Sequence, residues 1–270
     1  MPKKPLPPRL YKYQPFDAQT ITNLTLGQIW FAAPINVNDP YDCASWAVQT
    51  DEVSDDDFTK LQAYARKRDA ALAARLSPEE LRGAFINSAR KVYPEQQKFQ
   101  REQRGIACFS ATVTDITMWS HYANGHRGFC LEFDTSLLPF SKALDVTYVD
   151  TPPVLNPIDV LVNDPSDDES NELLRAFVLT KARCWSYEQE WRLMHKEPSK
   201  NYGYGNGPLT GIYLGAEMPH AHKDIIGRMT LDDPVQLYEM VRDTRSFTLR
   251  AQPANYTLPP RQKPGPGDQK

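Results

Sequence analysis

The amino-acid sequence predicts an α+β protein built on a mixed or mainly antiparallel sheet. Short apolar and aromatic runs, bounded by Gly, Pro, Asn or Asp, recur along much of the 270 residues and are typical of strands. Residues 54–103 interrupt this series with Ala, Leu, Glu, Lys and Arg at helical spacing. The order of these elements indicates an α+β domain with an inserted pair of helices.

The start of the chain is predicted to form two strands around one helix. Residues 10–13 read as a short strand, and Asp17 can cap a helix that ends near Gly27 before a second strand at 29–31. The Asn- and Asp-rich segment 36–42 is predicted to be a loop, since these side chains favour local backbone hydrogen bonds. Such a loop holds polar side chains near one place.

The inserted segment 54–103 is predicted to contain two helices. The acidic run 55–57 suits the positive end of the first helix, and Ser77-Pro78 breaks the pattern where a second helix can be capped. Its basic residues are interpreted as solvated faces rather than as a nucleic-acid patch.

The remaining elements follow in order after Gly105. A short helix around Trp119 is expected to begin at Asp115 or Thr117 and to stop at Asn124-Gly125. The other predicted elements are strands at 106–110, 128–133, 143–148, 187–194, 211–214, 235–241 and 246–249, and helices at 171–183 and 221–228.

Composition favours one soluble globular domain over residues 9–258, with disordered tails at 1–8 and 259–270 that are rich in Pro and charge. The net charge of −3 gives no basic footprint across the whole molecule, so nucleic acid is a possible but not an indicated partner. No secretory signal, membrane-spanning run or Cys-x-x-Cys zinc spacing occurs in the sequence. These features predict a cytoplasmic protein with reduced thiols and no metal site.

Two segments, 118–122 and 185–192, mix bulky aromatic residues with ionisable ones. Burying unpaired charges among tryptophans is costly, so the mixture predicts a shaped polar site. If 187–194 is a strand, Glu188, Glu190 and Arg192 share one face, where the two carboxylates would raise each other's pKa and the guanidinium would lower it. An exposed strand face with Glu–Arg pairing is the alternative.

Histidine and arginine residues near the first segment leave two interpretations open. His121 and His126 are five residues apart, which does not place them on one helical face for a metal. His121 is therefore either a hydrogen-bonded core residue or a catalytic one. Arg127 either binds a phosphate or carboxylate, or pairs with Glu132.

Several motifs taken together resemble one bacterial family, the domain of unknown function numbered 2971. The resemblance covers nearly all of the predicted folded part and carries no established reaction. The motifs lie at residues 10–13, 29–34, 38–42, 108–110, 118–122, 128–133 and 185–192.

A weaker resemblance is to ADP-ribosyltransferases, which carry three strand motifs in a fixed order. This chain has Tyr11-Lys12-Tyr13 early, the segment 109–112 in the middle and Glu188-Gln189-Glu190 late. The resemblance implies a split sheet, NAD as a substrate, and a role such as a toxin or phage-defence effector. The chain departs from the family at Lys12, where the family has Arg or His, and it lacks the second serine of the middle motif.

The same resemblance implies a role for each site residue. Glu190 would stabilise the positive charge on the ribose, Glu188 would orient or deprotonate the acceptor, and Ser110 would brace the glutamate. The implied NAD-binding residues, for diphosphate contact, stacking or pocket walls, are Lys12, Tyr13, Trp119, His121, Tyr122, Arg127 and Arg192.

Two functions from other classes remain open on the sequence. One is a non-catalytic nucleotide or ligand sensor, with Arg127, Arg192 and the tryptophans forming its pocket. The other is a metal-dependent nuclease built on Asp39, Asp42, Glu188 and Glu190. The transferase interpretation requires Lys12, Ser110 and Glu190 to converge on one cleft.

Overall fold

The computed structural model describes residues 4–43, 53–154, 156, 158, 176–231 and 235–254. The helices are α1 Ala18–Thr25, α2 Asp55–Arg68, α3 Ala70–Arg75, α4 Pro78–Glu102, α5 Ile116–Tyr122 and α6 His220–Met229, with short 3-10 helices at Pro34–Asn36, Phe140–Lys142 and Arg183–Glu188. The strands are β1 Arg9–Gln14, β2 Gln28–Phe31, β3 Gly105–Ser110, β4 Phe129–Asp134, β5 Leu144–Asp145, β6 Thr147–Val149, β7 Thr180–Ala182, β8 Glu190–His195, β9 Lys200–Gly203, β10 Leu209–Leu214, β11 Gln236–Arg242 and β12 Leu249–Pro253.

An eight-stranded sheet forms the centre of the molecule, in the order β12-β11-β10-β4-β1-β3-β8-β5. Its pairs are antiparallel except for β10 and β11, which run parallel. Two small sheets, β2 with β9 and β6 with β7, lie beside it. The predicted α+β class with a mixed, mainly antiparallel sheet is confirmed.

The sheet opens between β1 and β3. Strand β1 pairs with β4 along its whole length, from Arg9 opposite Asp134 to Gln14 opposite Phe129. With β3 it pairs only where Tyr11 lies opposite Ser110. Because unpaired backbones diverge, this junction leaves room for side chains from both strands.

Strand alternation divides the interior between the two faces of the sheet. One face carries a core of aromatic and aliphatic residues, in which the rings of Phe133 and Phe140 stack with centroids 4.2 Å apart. The other face carries Tyr13 and Cys130, which α5 covers with Met118 and Trp119. Helix α5 therefore stands directly above the β1 end of the opening.

Three helices make up the inserted segment. Ser54 and Ser77 cap α2 and α4, and Ser77 forms a capping box with Glu80, as the Ser77-Pro78 break predicts. The short helix α3, capped by Asp69, comes between them and was not predicted. None of the helices within the described ranges is both long and apolar enough to cross a membrane.

The predicted elements near residue 180 need correction. The expected helix 171–183 falls partly outside the described residues. In its described part, residues 176–178 are helical, but Thr180–Ala182 forms a strand. The expected strand 187–194 begins only at Glu190, since Arg183–Glu188 is a 3-10 helix and Gln189 has a left-handed backbone with φ of 45°.

Smaller differences occur elsewhere. The predicted strand 143–148 is divided into β5 and β6, and the last strand begins at Leu249 rather than at 246. The predicted tail 1–8 is described from Lys4, and Leu6 packs against the core. Residues 259–270 lie outside the described part.

Gly128, just before β4, allows a close approach of two backbone segments. A Cβ atom at this position would lie 2.1 Å from the carbonyl oxygen of Gln14 and 3.0 Å from that of Ala123. We expect Gly128→Ala to lower the free energy of unfolding by at least about 2 kcal/mol, because backbone atoms must shift. Urea unfolding followed by circular dichroism measures this change.

Gly83 is the matched control, because a Cβ atom there meets nothing within 4 Å and the residue lies inside α4. Gly83→Ala should raise the free energy of unfolding by about 0.5–1 kcal/mol through helix propensity. Equal effects of the two substitutions would contradict the role assigned to Gly128.

Candidate functional site

A cleft of about 140 Å³ lies where the sheet opens between β1 and β3. Five parts of the chain meet there: the two strands, the 36–42 loop, α5 and the segment from β7 to the start of β8. Its walls consist of Tyr11, Lys12, Tyr13, Val37, Asn38, Asp42, Cys108, Phe109, Ser110, Met118, Tyr122, Lys181, Glu188 and Glu190.

The ammonium group of Lys181 lies between three carboxylates in this cleft. Its Nζ is 2.6 Å from Glu188 Oε2, 3.3 Å from Glu190 Oε2 and 3.3 Å from Asp42 Oδ2. The side chains involved are at most 4% exposed. Charges this deeply buried are tolerated only when they are paired, so the four groups depend on one another.

Arg192 supplies the second cation from behind the cleft wall. Its Nε donates to Glu190 Oε1 at 2.7 Å, and its Nη2 donates to Asp42 Oδ2 at 2.6 Å. Its Nη1 donates to the carbonyl oxygen of Val178, and the side chain is completely buried. We call Asp42, Lys181, Glu188, Glu190 and Arg192 the charge cluster.

The two glutamates reach the charge cluster by a backbone turn rather than by strand alternation. Glu188 ends a 3-10 helix, Gln189 takes the left-handed conformation, and Glu190 begins β8. The hydroxyl of Tyr148 accepts a hydrogen bond from the Glu190 backbone nitrogen at 2.8 Å. The turn brings both carboxylates onto Lys181.

The surroundings separate the pKa values of the two glutamates. Burial alone would raise the pKa of Glu190, but Arg192 and Lys181 outweigh it and lower that pKa to about 2. Burial raises the pKa of Glu188 above its ordinary value. The negative charge of Glu190 raises this pKa further, and the two effects together outweigh Lys181, which lowers it. Paired carboxyl groups with separated pKa values are a common basis for acid–base chemistry.

Tyr122 and Asn38 form a polar chain on the α5 side of Glu188. The hydroxyl of Tyr122 donates to Glu188 Oε1 at 2.6 Å, and Asn38 Nδ2 donates to that hydroxyl at 3.1 Å. Burial and the nearby Glu188 raise the pKa of Tyr122, which keeps it a proton donor. Each carboxylate oxygen of Glu188 thus has one fixed donor.

Lys12 lines the opposite wall in a different setting. Its Nζ donates to the carbonyl oxygen of Cys108 at 3.2 Å and lies 5.2 Å from the ring centroid of Phe109. Burial lowers the pKa of Lys12. The pKa of Lys181 is instead raised, because the attraction of three carboxylates outweighs the effect of burial.

Six of the ten residues predicted for the site line the cleft. They are Lys12, Tyr13, Ser110, Tyr122, Glu188 and Glu190. Lys12, Ser110 and Glu190 therefore meet in one cleft, as the transferase interpretation requires. The hydroxyl of Ser110 accepts from the Thr112 backbone nitrogen at 3.1 Å, and Glu190 is braced by Arg192 and Lys181.

The other four predicted residues lie outside the cleft lining. Trp119 is fully buried, donates its indole N–H to Val113, and packs edge-on against Tyr13. His121 is exposed, with Nδ1 at 3.1 Å from the Tyr187 hydroxyl. Arg127 is exposed on the turn before β4. Arg192 is buried behind Glu190, so it positions that carboxylate rather than contacting a ligand.

Sequence reasoning missed Lys181, the residue at the centre of the charge cluster. It lies in the segment expected to be a helix, where a lysine is normally solvated. Its partners are seven or more positions away, at Glu188, Glu190 and Asp42, so no local spacing reveals them. Asp42 had a weak signal, since the 36–42 loop was expected to hold polar side chains together.

The described residues contain no group of three or more His, Cys, Asp or Glu arranged to hold a metal ion. Of the four residues considered for a nuclease, Asp39 accepts from the Tyr41 backbone nitrogen at 2.9 Å and does not line the cleft. The other three surround the ammonium group of Lys181, which occupies the space between their carboxylates. All four cysteines are free thiols.

The fold and site define an α+β protein whose open sheet holds three buried carboxylates against two buried cations. Residues 118–193 match the model of the family described as "Protein of unknown function (DUF2971)". Over these residues the match supports the predicted resemblance to that family, and it spans Lys181, Glu188, Glu190 and Arg192. No curated protein and no solved structure matches the chain.

Removing the guanidinium of Arg192 would leave Asp42 and Glu190 short of a buried partner. We expect Arg192→Met to lower the free energy of unfolding by about 3–5 kcal/mol, as breaking a buried ion pair does. The control is Arg183→Met, which breaks an exposed pair with Asp150. Its urea midpoint should match that of the wild type, and a similar loss in both variants would count against the charge cluster.

The effect of Arg192→Met should depend on pH. Glu190 has its pKa lowered from 4.5 to about 2, so its contribution to stability is complete above 4.5 and is lost as the pH falls towards 2. The variant lacks the main group that lowers this pKa. The difference in free energy of unfolding between the two proteins should therefore narrow as the pH falls through this window.

Urea unfolding at several pH values between about 7 and about 3 measures that difference. Glu188, whose pKa is raised, contributes to stability with the opposite pH dependence. This contribution is present in both proteins, so it largely cancels from the difference in free energy of unfolding. A difference that stays constant over this range would show that Arg192 does not control the ionisation of Glu190.

Proposed function

We propose that this protein is an ADP-ribosyltransferase-like enzyme that breaks the bond between nicotinamide and ribose in NAD. One observation carries the proposal. The early, middle and late motifs lie on or beside three neighbouring strands, β1, β3 and β8, and Lys12, Ser110 and Glu190 face one cleft. The opening between β1 and β3 also agrees with the split sheet that the resemblance implies.

The size and walls of the cleft suit the nicotinamide end of NAD. A cavity of about 150 Å³ holds one benzene ring, so the 140 Å³ of this cleft is enough for a single aromatic ring. Tyr13, Phe109 and Tyr122 supply aromatic surface for that ring. The adenosine end of the dinucleotide would lie outside.

Positive charge develops on the ribose as nicotinamide leaves, and Glu190 is the group to stabilise it. Its lowered pKa keeps it ionised at neutral pH. Lys181 and Arg192 fix both of its oxygens, so little reorganisation is needed during the reaction. A preorganised anion of this kind lowers the energy of the transition state.

Glu188 would act as the base. The C1′–N bond breaks with its electron pair leaving on neutral nicotinamide, and an acceptor hydroxyl or water oxygen then bonds to C1′. The proton of that oxygen passes to Glu188, which is a better base than an ordinary glutamate because its pKa is raised. Tyr122 and Lys181 hold this carboxylate in place.

Lys12 would contact the diphosphate of NAD. A lysine without a carboxylate partner is available to an anionic ligand, and the charge of that ligand would raise the pKa of Lys12 towards its ordinary value. A cytoplasmic role as a toxin or phage-defence effector belongs to the same proposal. The four free thiols suit a reducing compartment.

A non-catalytic ligand sensor is the second candidate, and a specific observation favours it. Every member of the charge cluster is already paired with another member inside the protein. Such a network can hold a pocket in shape without any reaction. A nuclease has less support, since Lys181 occupies the space between the carboxylates.

Substituting the two glutamates tests the enzyme proposal. We expect Glu190→Gln to lower the rate of NAD cleavage by about 10²–10³-fold, through loss of charge stabilisation. Glu188→Gln should lower it by about 10²-fold or more, through loss of the base. Released nicotinamide is measured by chromatography, with thermal unfolding as a check on folding.

The control is Glu95→Gln, an exposed position on α4, which should cleave NAD at the wild-type rate. NAD that stays intact with the wild-type protein and varied acceptors would argue against an enzyme. If NAD or nicotinamide then raises the melting temperature and is recovered unchanged, the sensor candidate is favoured.

A further inference from the structure

The amine of Lys12 differs from the other cations of the cleft. Within the described part of the chain, no carboxylate oxygen lies within the 4 Å of an ion pair with its Nζ. Its Nζ donates a hydrogen bond to the backbone carbonyl oxygen of Cys108, a neutral acceptor. Lys181 and Arg192, in contrast, are paired with three carboxylates.

This setting favours the neutral form of the amine. Desolvation disfavours an ammonium ion, and here the opposing attraction of Glu190 is too weak to offset it, so the pKa of Lys12 is lowered. An ordinary lysine, with a pKa of about 10.4, is neutral in roughly one molecule in 2,500 at pH 7. Each unit by which the pKa falls raises that fraction about tenfold.

A neutral amine that lines a cleft is a nucleophile. The amine nitrogen adds to the carbon of an aldehyde or ketone, and the carbonyl oxygen takes up the two protons of the amine and leaves as water. A C=N bond replaces the C=O bond, and no oxidant or reductant is consumed. The Phe109 ring, with its centroid 5.2 Å from Nζ, gives this part of the cleft an apolar surface.

We propose that Lys12 is a carbonyl-binding residue that forms an imine with small aldehydes or ketones, including open-chain sugars, that enter the cleft. The volume of 140 Å³ admits a molecule of this size. The proposal does not depend on NAD, because it needs only the free amine and the cleft. In this proposal Lys12, on the β1 side of the cleft, forms a covalent bond without any part played by the charge cluster.

Reductive trapping tests the proposal. The protein is incubated near neutral pH with propanal and sodium cyanoborohydride, which reduces an imine to a stable secondary amine, and peptide mass spectrometry locates the adducts. We expect Lys12 to be modified at least tenfold faster than the exposed Lys142 and Lys196. Lys181, held by three carboxylates, should stay unmodified.

The pH dependence gives a second readout. As the pH is raised, the rate at Lys12 should level off at a lower pH than the rates at the exposed Lys142 and Lys196, because burial lowers the pKa of Lys12. In Lys12→Arg, which keeps a cation at this position, the fast adduct should disappear while the surface adducts remain. Circular dichroism checks that this variant is folded.

Modification of Lys12 at or below the rate of the surface lysines, with both propanal and the smaller formaldehyde, would overturn the proposal. So would a fast adduct that persists in Lys12→Arg. NAD cleavage is measured separately without aldehyde, so either proposal can fail while the other stands.

Discussion

The ammonium of Lys181 and the guanidinium of Arg192 hold three carboxylates inside a protein that could not otherwise bury them. Asp42 comes from the loop after β2, Glu188 from a 3-10 helix, and Glu190 and Arg192 from β8. Without the other elements, each of these segments would bury a charge that has no partner. Their mutual neutralisation is therefore a reason for these distant segments to meet, and it sets the shape of one cleft wall.

The opening of the sheet depends on the cleft wall formed by the charge cluster as much as on strand pairing. Strand β1 is bound firmly to β4, and β3 is bound firmly to β8, but the two halves share only the contact between Tyr11 and Ser110. Continuous pairing would close the space into which Glu190 and Lys12 face. The weak junction and the buried charges together give the molecule a polar cleft in the middle of its sheet.

Much of the fold follows from the sequence, because caps, glycines and apolar runs act locally. Asp17, Ser77 and Asp115 mark helix starts that the structure reproduces. The site is less predictable. Glu188 and Glu190 were expected to meet through strand alternation, but the left-handed turn at Gln189 brings them together. Lys181 has no local signal at all, since tertiary pairing alone brings it to its carboxylates.

The two cleft lysines show how tertiary structure assigns opposite chemistry to one residue type. Lys181 stays charged because three carboxylates surround it, whereas burial lowers the pKa of Lys12, which has no carboxylate within ion-pair distance. The cleft is therefore polarised, with fixed charges on the β8 side and an amine of lowered pKa on the β1 side. A substrate with an electrophilic carbon and an anionic group would be oriented by this difference. Its anion would draw a proton onto Lys12, while its electron-poor carbon would face Glu188 and Glu190.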